Sequence, residues 1–174
     1  MLDILALSGS LRAASLNTAL LRAAQGLAPR GMMIELYDGL GALPLFNPDL
    51  DPRDEPSVVT FLARAARADA LLIACPEYAR GIPGAFKNAL DWLVGSEEFA
   101  GKKAALFNAS SRATEAQAAL RLVLTTMAVE IVEAASVTLP LPGPDWTAAL
   151  IAADTDLAPR LQGALAALAK ALTP

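Results

Sequence analysis

Five short apolar blocks run along this chain, and each is followed by a segment with helical spacing. The blocks are Leu2–Leu7, Met32–Tyr37, Ala68–Ala74, Lys103–Ala109 and Ile131–Leu139. A block of five to nine residues is the length of one strand, and near-continuous apolar character marks a strand covered on both faces. Ala68–Ala74, for example, is interrupted only by Asp69. A strand that returns through a helix lies parallel to the strand it left, by a right-handed crossover. The alternation therefore predicts an α/β fold: a doubly wound, five-stranded parallel sheet with helices on both faces, in the order 2-1-3-4-5.

The intervening segments carry helix punctuation. Leu16, Leu20, Leu21 and Ala24 share one face of a helix from Leu16 to Leu27, ended by Gly26 and Pro29. Val58, Phe61, Leu62 and Ala65 do the same over Val58–Arg67. Pro83 sits where a third helix starts, running to about Val94 with Gly95 as its stop. Thr114-Glu115-Ala116-Gln117 fits a capping box before a helix to about Met127. Trp146–Ala153 reads as a short helix. A last one runs from Pro159 to Leu172, with Leu161, Leu165, Leu168 and Leu172 as its stripe. No repeat or interdomain linker appears, so residues 1–174 read as a single domain.

Composition narrows the chemistry. There is no His, which removes Ser-His-Asp and Cys-His catalysis and any histidine-ligated metal. One Cys, Cys75, excludes an intrachain disulfide and a cysteine metal cluster. An enzyme built this way works through a cofactor, or through carboxylates, Lys, Arg, Tyr and Ser. The net charge of −4 argues against nucleic acid as a partner. No apolar block approaches the roughly 18 residues of a membrane span. Met1-Leu2-Asp3 lacks a basic leader, so a cytoplasmic location is expected.

Three unusual loops follow strands one, three and four. The first is Gly9-Ser10-Leu11-Arg12-Ala13-Ala14-Ser15-Leu16-Asn17. A Gly/Ser loop between a strand and a helix presents backbone N–H groups and hydroxyls to an anion, at the positive end of the helix dipole. Arg12 adds a guanidinium fork for phosphate oxygens. The same residues also make an ordinary strand-to-helix connection with Ser15 as N-cap. The second loop is Cys75-Pro76-Glu77-Tyr78-Ala79-Arg80-Gly81-Ile82-Pro83-Gly84, and the third is Ser110-Ser111-Arg112-Ala113. In a doubly wound sheet ligands bind at the carboxyl ends of the strands near the switch point, so the three loops converge on one edge. A fourth loop, Gly41–Pro56, is longer than a compact domain needs without a purpose and reads as a lid or contact surface.

Taken together, these loops resemble the NADPH-dependent FMN reductase family, the flavodoxin-like flavoproteins that include chromate, quinone and azo reductases. The matching residues are Gly9-Ser10-Leu11-Arg12 with Ser15 and Asn17, then Pro76-Glu77-Tyr78, then Ile82-Pro83-Gly84 leading into Lys87-Asn88-Ala89-Leu90-Asp91-Trp92. Leu43-Pro44-Leu45-Phe46-Asn47-Pro48-Asp49-Leu50 also looks like the family's loop after strand two. The resemblance covers about residues 2–140.

The resemblance implies an FMN-containing oxidoreductase that uses NADPH or NADH and passes electrons in a ping-pong cycle to a small acceptor, whether quinone, azo compound, chromate or free flavin. It implies that Ser10, Arg12, Ser15 and Asn17 hold the FMN phosphate, with Leu16 and Thr18 offering backbone or hydroxyl donors. Pro76, Glu77, Tyr78 and Ala79 would line the isoalloxazine, and Ser110, with Ser111 beside it, its pyrimidine side. Arg80 and Arg112 are candidates for the 2′-phosphate of NADPH. The helix containing Lys87–Trp92 implies a homodimer or homotetramer. Asn88 is placed to brace the Pro76–Gly84 loop, and Trp92 and Trp146 read as packing anchors.

Two departures stand out. The family often has Asn after Pro-Glu-Tyr, where this chain has Ala79, and Gly in the third loop, where it has Ser111-Arg112. Two other readings share the scaffold: a one-electron flavodoxin-like carrier and an FMN-free interaction module.

Overall fold

Within each strand of this chain, odd and even positions feed two different cores. In a computed structural model describing residues 1–96 and 99–173, the first strand, β1 (Leu2–Ser8), turns Ile4 and Ala6 to one side and Leu5 and Leu7 to the other. All four are buried, as the period-two geometry of a strand requires. β2 (Met32–Tyr37), β3 (Ala70–Ala74) and β4 (Lys103–Asn108) complete the body of a parallel sheet in the order β2-β1-β3-β4. Leu5 stands opposite Leu71, and Leu71 opposite Ala104, so one apolar layer runs unbroken across three strands.

Helices α1 (Leu16–Gly26), α5 (Ala148–Ala153) and α6 (Leu157–Leu172) cover the Ile4 face, bringing in Leu20, Leu21, Ile151, Leu161, Leu165 and Leu168. Helices α2 (Pro56–Arg67), α3 (Gly84–Val94) and α4 (Thr114–Thr126) cover the other face with Phe61, Phe86, Leu90, Leu120 and Leu124. Each fully buried side chain of this size contributes roughly 1.5–3 kcal/mol of apolar burial. The result is the flavodoxin-like α/β architecture that the alternation of blocks predicts.

The last strand differs from its expected Ile131–Leu139 span. It is two short pieces in tandem on the far side of β4: β5 (Glu130–Ile131) and β6 (Val137–Thr138), separated by a 3₁₀ turn over Glu133–Ala135. Ser136 explains how the sheet tolerates the break. Its Oγ accepts the Leu106 N–H at 3.0 Å and donates to the Val132 carbonyl at 3.1 Å, so a hydroxyl stands between two groups that an unbroken ladder would join directly. The buried edge of β4 keeps its hydrogen bond.

Three other expectations change. The capping box at Thr114–Gln117 does not form: Thr114 is already helical, and Ala113 at the cap makes no side-chain bond. Helix α5 begins at Ala148 with Thr147 as its cap, and α6 begins at Leu157 because Asp154 accepts the Asp156 and Leu157 N–H groups. Asn88 braces the strand-two loop instead of the Pro76–Gly84 loop. It accepts the Phe46 N–H at 2.7 Å and donates to the Pro44 carbonyl at 2.9 Å, where Trp92 Nε1 also donates. Phe46 meets Trp92 edge-on with ring centroids 5.1 Å apart, so α3 and residues 44–46 form one unit. Trp92 is buried as an anchor, and Lys87 pairs with Asp91 one turn along.

Candidate functional site

The carboxyl ends of β1, β3 and β4 bring the three loops together. The first two touch at a glycine. Gly9 donates its N–H to the Ala74 carbonyl at 2.8 Å, and a Cβ on Gly9 would lie 3.1 Å from both Cys75 Sγ and Pro76 Cδ. A side chain here would push the loops apart. Just beyond, Ser10 is buried; its Oγ accepts the Arg12 N–H at 3.3 Å and lies 3.2 Å from the Tyr78 hydroxyl. Ser8 and Thr18 join hydroxyls at 2.8 Å. Ser15 caps α1 by accepting the Thr18 N–H at 3.3 Å.

Around this cap lies an unusual supply of hydrogen-bond donors. The backbone N–H groups of Ala13, Ala14, Ser15, Leu16 and Asn17 donate to nothing among the described residues. Helix N-termini leave such donors by construction, and five in succession with the positive dipole end behind them favour an anion. Arg12 is exposed and makes no ion pair among the described residues.

Asn17 is the informative side chain. Only 8% of it is exposed, yet its Oδ1 has no hydrogen-bond partner. A buried amide left unpaired costs roughly 1–3 kcal/mol, so its environment calls for an occupant. Asn17 faces a cavity of about 310 Å³ whose other walls include Leu16, Pro76, Glu77, Ser110 and Arg112.

The second loop is tied to the third by Glu77. Its Oε2 accepts the Ala116 N–H at 3.0 Å, so a carboxylate from another loop supplies the cap that α4 lacks locally. Gln117 supports the tie by donating to the Cys75 carbonyl at 3.3 Å. Burial pushes the Cys75 thiol up to about 12, which makes it a packed, protonated group beneath the site.

Beyond Glu77 the loop turns back on itself. Tyr78 and Gly81 exchange backbone hydrogen bonds at 3.1 and 3.0 Å, enclosing a two-residue turn. Its central residues, Ala79 and Arg80, have φ of 50° and 62°. This is the primed turn in which Asn-Gly is preferred, because other residues are strained by about 1–2 kcal/mol each in the left-handed region.

In the third loop, Ser110 donates its N–H to Asn108 Oδ1 at 3.1 Å, and its Oγ accepts the Arg112 N–H at 3.2 Å. Asn108 is buried and lines the same cavity as Asn17. Sequence reasoning left it inside the strand Lys103–Ala109; a lone amide closing an otherwise apolar block was the available signal.

The structure thus gathers Leu16, Asn17, Pro76, Glu77, Ser110 and Arg112 around one cavity. Ser10, Arg12 and Thr18 line a separate one of about 260 Å³. Ser15 lines a third, of about 350 Å³, which also contacts Leu16 and Thr18. Tyr78, Ala79, Arg80 and Ser111 are exposed at the rim and line none of these three. Arg22, which the sequence did not single out, faces both of the cavities that meet at Thr18.

Known proteins resemble this chain in sequence and fold. Residues 2–141 match the family model described as NADPH-dependent FMN reductase. An NAD(P)H-dependent FMN reductase of Pseudomonas aeruginosa is 44% identical over 113 residues, covering 63% of this chain and 60% of the relative. A 2-hydroxy-1,4-benzoquinone reductase of Burkholderia sp is 42% identical over 113 residues, 63% of this chain and 61% of the relative. The aligned regions therefore span about three-fifths of those relatives. Among solved structures, a flavoenzyme NAD(P)H:(acceptor) oxidoreductase from Paracoccus denitrificans aligns with a TM-score of 0.79 and 31% identity, covering 99% of this chain and 97% of that one.

Proposed function

The chain belongs to the NADPH-dependent FMN reductase family, and we propose that it is an NAD(P)H-dependent oxidoreductase that holds FMN across the three loops and reduces small oxidised acceptors such as quinones. The observation that carries this reading is Asn17: its buried Oδ1 has no partner among the described residues, and it faces a cavity next to five backbone N–H groups that also lack one there. The donor set suits a phosphate ester with a polyol arm. The amides of residues 13–17 and the Arg12 guanidinium would take the phosphate, and Asn17 Oδ1, an acceptor, would take the proton of a ribityl hydroxyl. Gly9 lets Pro76 approach closely enough to form the floor on which a flat ring system lies.

When bound, FMN supplies the redox chemistry, accepting electrons from NAD(P)H and giving them to the second substrate in turn. The protein's own part is placement. Pro76 and Glu77 form one wall and Ser110 the other, and the bond from Glu77 to Ala116 sets their spacing. No proton-transfer residue is needed for the transfer from NAD(P)H to FMN, in keeping with a chain that has no His. Arg80 and Arg112, cations on the rim and wall with no ion pair among the described residues, would meet the 2′-phosphate of NADPH. Leu45, Phe46, Leu50 and Val94 are exposed on and beside the α3 unit, which supports self-association there into a homodimer or homotetramer. Among the described residues, no helix is long and apolar enough to cross a membrane.

The deciding experiment is the visible spectrum of the purified protein, followed by anaerobic addition of NADH and NADPH. Bleaching of the oxidised-flavin band at roughly 450 nm is expected. Reduction in two separate one-electron steps would point to a carrier instead. A colourless protein that leaves the spectrum of added FMN unchanged would remove both flavin readings.

A further inference from the structure

The third cavity, of about 350 Å³, lies between the first turns of α1 and the segment leading into α5. Its volume falls within the roughly 300–1,000 Å³ of small-molecule sites. Ala13, Ala19, Pro144 and Trp146 give it flat apolar walls, and Arg22 and Asp145 give it one cation and one carboxylate. Three of its polar side chains, Arg22, Asp145 and Trp146, have no hydrogen-bond or ion-pair partner among the described residues. Trp146 is half-buried and its Nε1–H donates to nothing among the described residues, whereas Trp92 donates to Pro44. Arg22 makes no ion pair among the described residues. It faces this cavity and the neighbouring one that contains Arg12, so two unpaired guanidinium groups flank Thr18.

A planar heteroaromatic ring linked to a phosphate matches this combination. The indole face and Pro144 would take the ring by stacking, Asp145 would accept from a ribose hydroxyl or an exocyclic amine, and Arg22 would take the phosphate. Ser15 and Thr18, which belong to the proposed phosphate loop, form the boundary with the first site, so a second phosphate beside the first would meet Arg22. We propose that this cavity is an adenosine-phosphate subsite. The flavin dinucleotide FAD, whose flavin end suits the proposed FMN site, carries that group; in assigning this source, the inference rests on the proposed flavin function.

The test begins with flavin-free protein titrated with 5′-AMP, with inorganic phosphate as the control, and read by tryptophan emission. Saturable quenching by AMP is expected, and Arg22→Ala should weaken it at least about tenfold. Trp146→Ala should remove the stack, worth about tenfold or more, and Trp146→Phe should restore most of it. Arg22 is exposed and unpaired, so its variant keeps the test meaningful should Trp146→Ala fold poorly. If FAD is the source, FAD binds at least about tenfold tighter than FMN and Arg22→Ala removes the advantage. Equal binding of FAD and FMN by the wild type overturns that assignment. Absence of saturable AMP binding, or equal AMP binding by Arg22→Ala, overturns the proposal. AMP binding by a protein that takes up no FMN would leave the subsite standing and remove the flavin function; FMN binding without AMP binding would do the reverse.

Discussion

Glu77 and Ala116 are 39 residues apart in sequence, and the carboxylate of the first accepts the backbone N–H of the second at 3.0 Å. One bond thereby closes the N-terminus of α4 and fixes the separation of two walls of the site. Glu77→Ala should lower the stability of the flavin-free protein by about 0.5–2 kcal/mol, the worth of an N-cap. Glu77→Gln keeps an acceptor and should recover part of that loss. Chemical denaturation of the three proteins checks the order, and equal stability of wild type and Glu77→Ala would show that the cap contributes nothing.

Asn17 should trade stability for binding. Its buried Oδ1 has no partner, so Asn17→Leu, which keeps the shape and removes the polar atom, should leave the flavin-free protein as stable or about 1 kcal/mol more stable. The same change should weaken FMN binding by about tenfold or more. A melting curve and a flavin titration together test this, and a variant that is both less stable and unimpaired in binding contradicts it.

The turn at Ala79-Arg80 should improve with the residues its backbone prefers. With φ of 50° and 62° at these positions, the double change Ala79→Asn and Arg80→Gly should stabilise the fold by about 1 kcal/mol. Arg80→Gly should at the same time raise KM for NADPH more than for NADH if Arg80 meets the 2′-phosphate. Thermal unfolding reads the first effect and steady-state kinetics the second.

Cys75 predicts a loss of stability in alkali. The folded thiol titrates near 12 instead of its ordinary 9.0 because it is buried. Between those values the folded chain keeps a proton that the unfolded chain releases. The unfolding free energy is therefore undiminished by this group below pH 9 and falls as pH rises toward 12, by up to about 1.4 kcal/mol per pH unit. Tyr37, raised from 10.0 by burial and then by the neighbouring Asp38, adds to the decline above that value. Cys75→Ala should flatten the slope just above pH 9, and thiol reagents should label the wild type at neutral pH only after unfolding.

Much of this was legible in the residues alone. The near-continuous apolar run of Leu2–Leu7 and the helical spacing in Leu16–Ala24 are local patterns, and they fix the sheet and its cover. The loops could be placed on one edge because a parallel sheet has only one carboxyl end. What was hidden depends on contacts between distant segments. Glu77 capping α4 cannot be seen from Thr114-Glu115-Ala116-Gln117, which carries a complete local signal of its own. The break in the last strand is masked by an apolar run, Ile131-Val132, that resumes at Val137, and Ser136 gives no hint of the carbonyl and amide it joins. The strain at Ala79 and Arg80 breaks the usual turn chemistry, and such local exceptions collect at working sites.

The contact at Gly9 divides the site into a part that can change and a part that cannot. One absent methyl group holds the first loop against Cys75 and Pro76, so the floor has no slack. Ala79, Arg80 and Ser111 stand exposed at the rim. In the proposed oxidoreductase, a change of electron acceptor would be accommodated at the rim, and the floor would keep the cofactor's place.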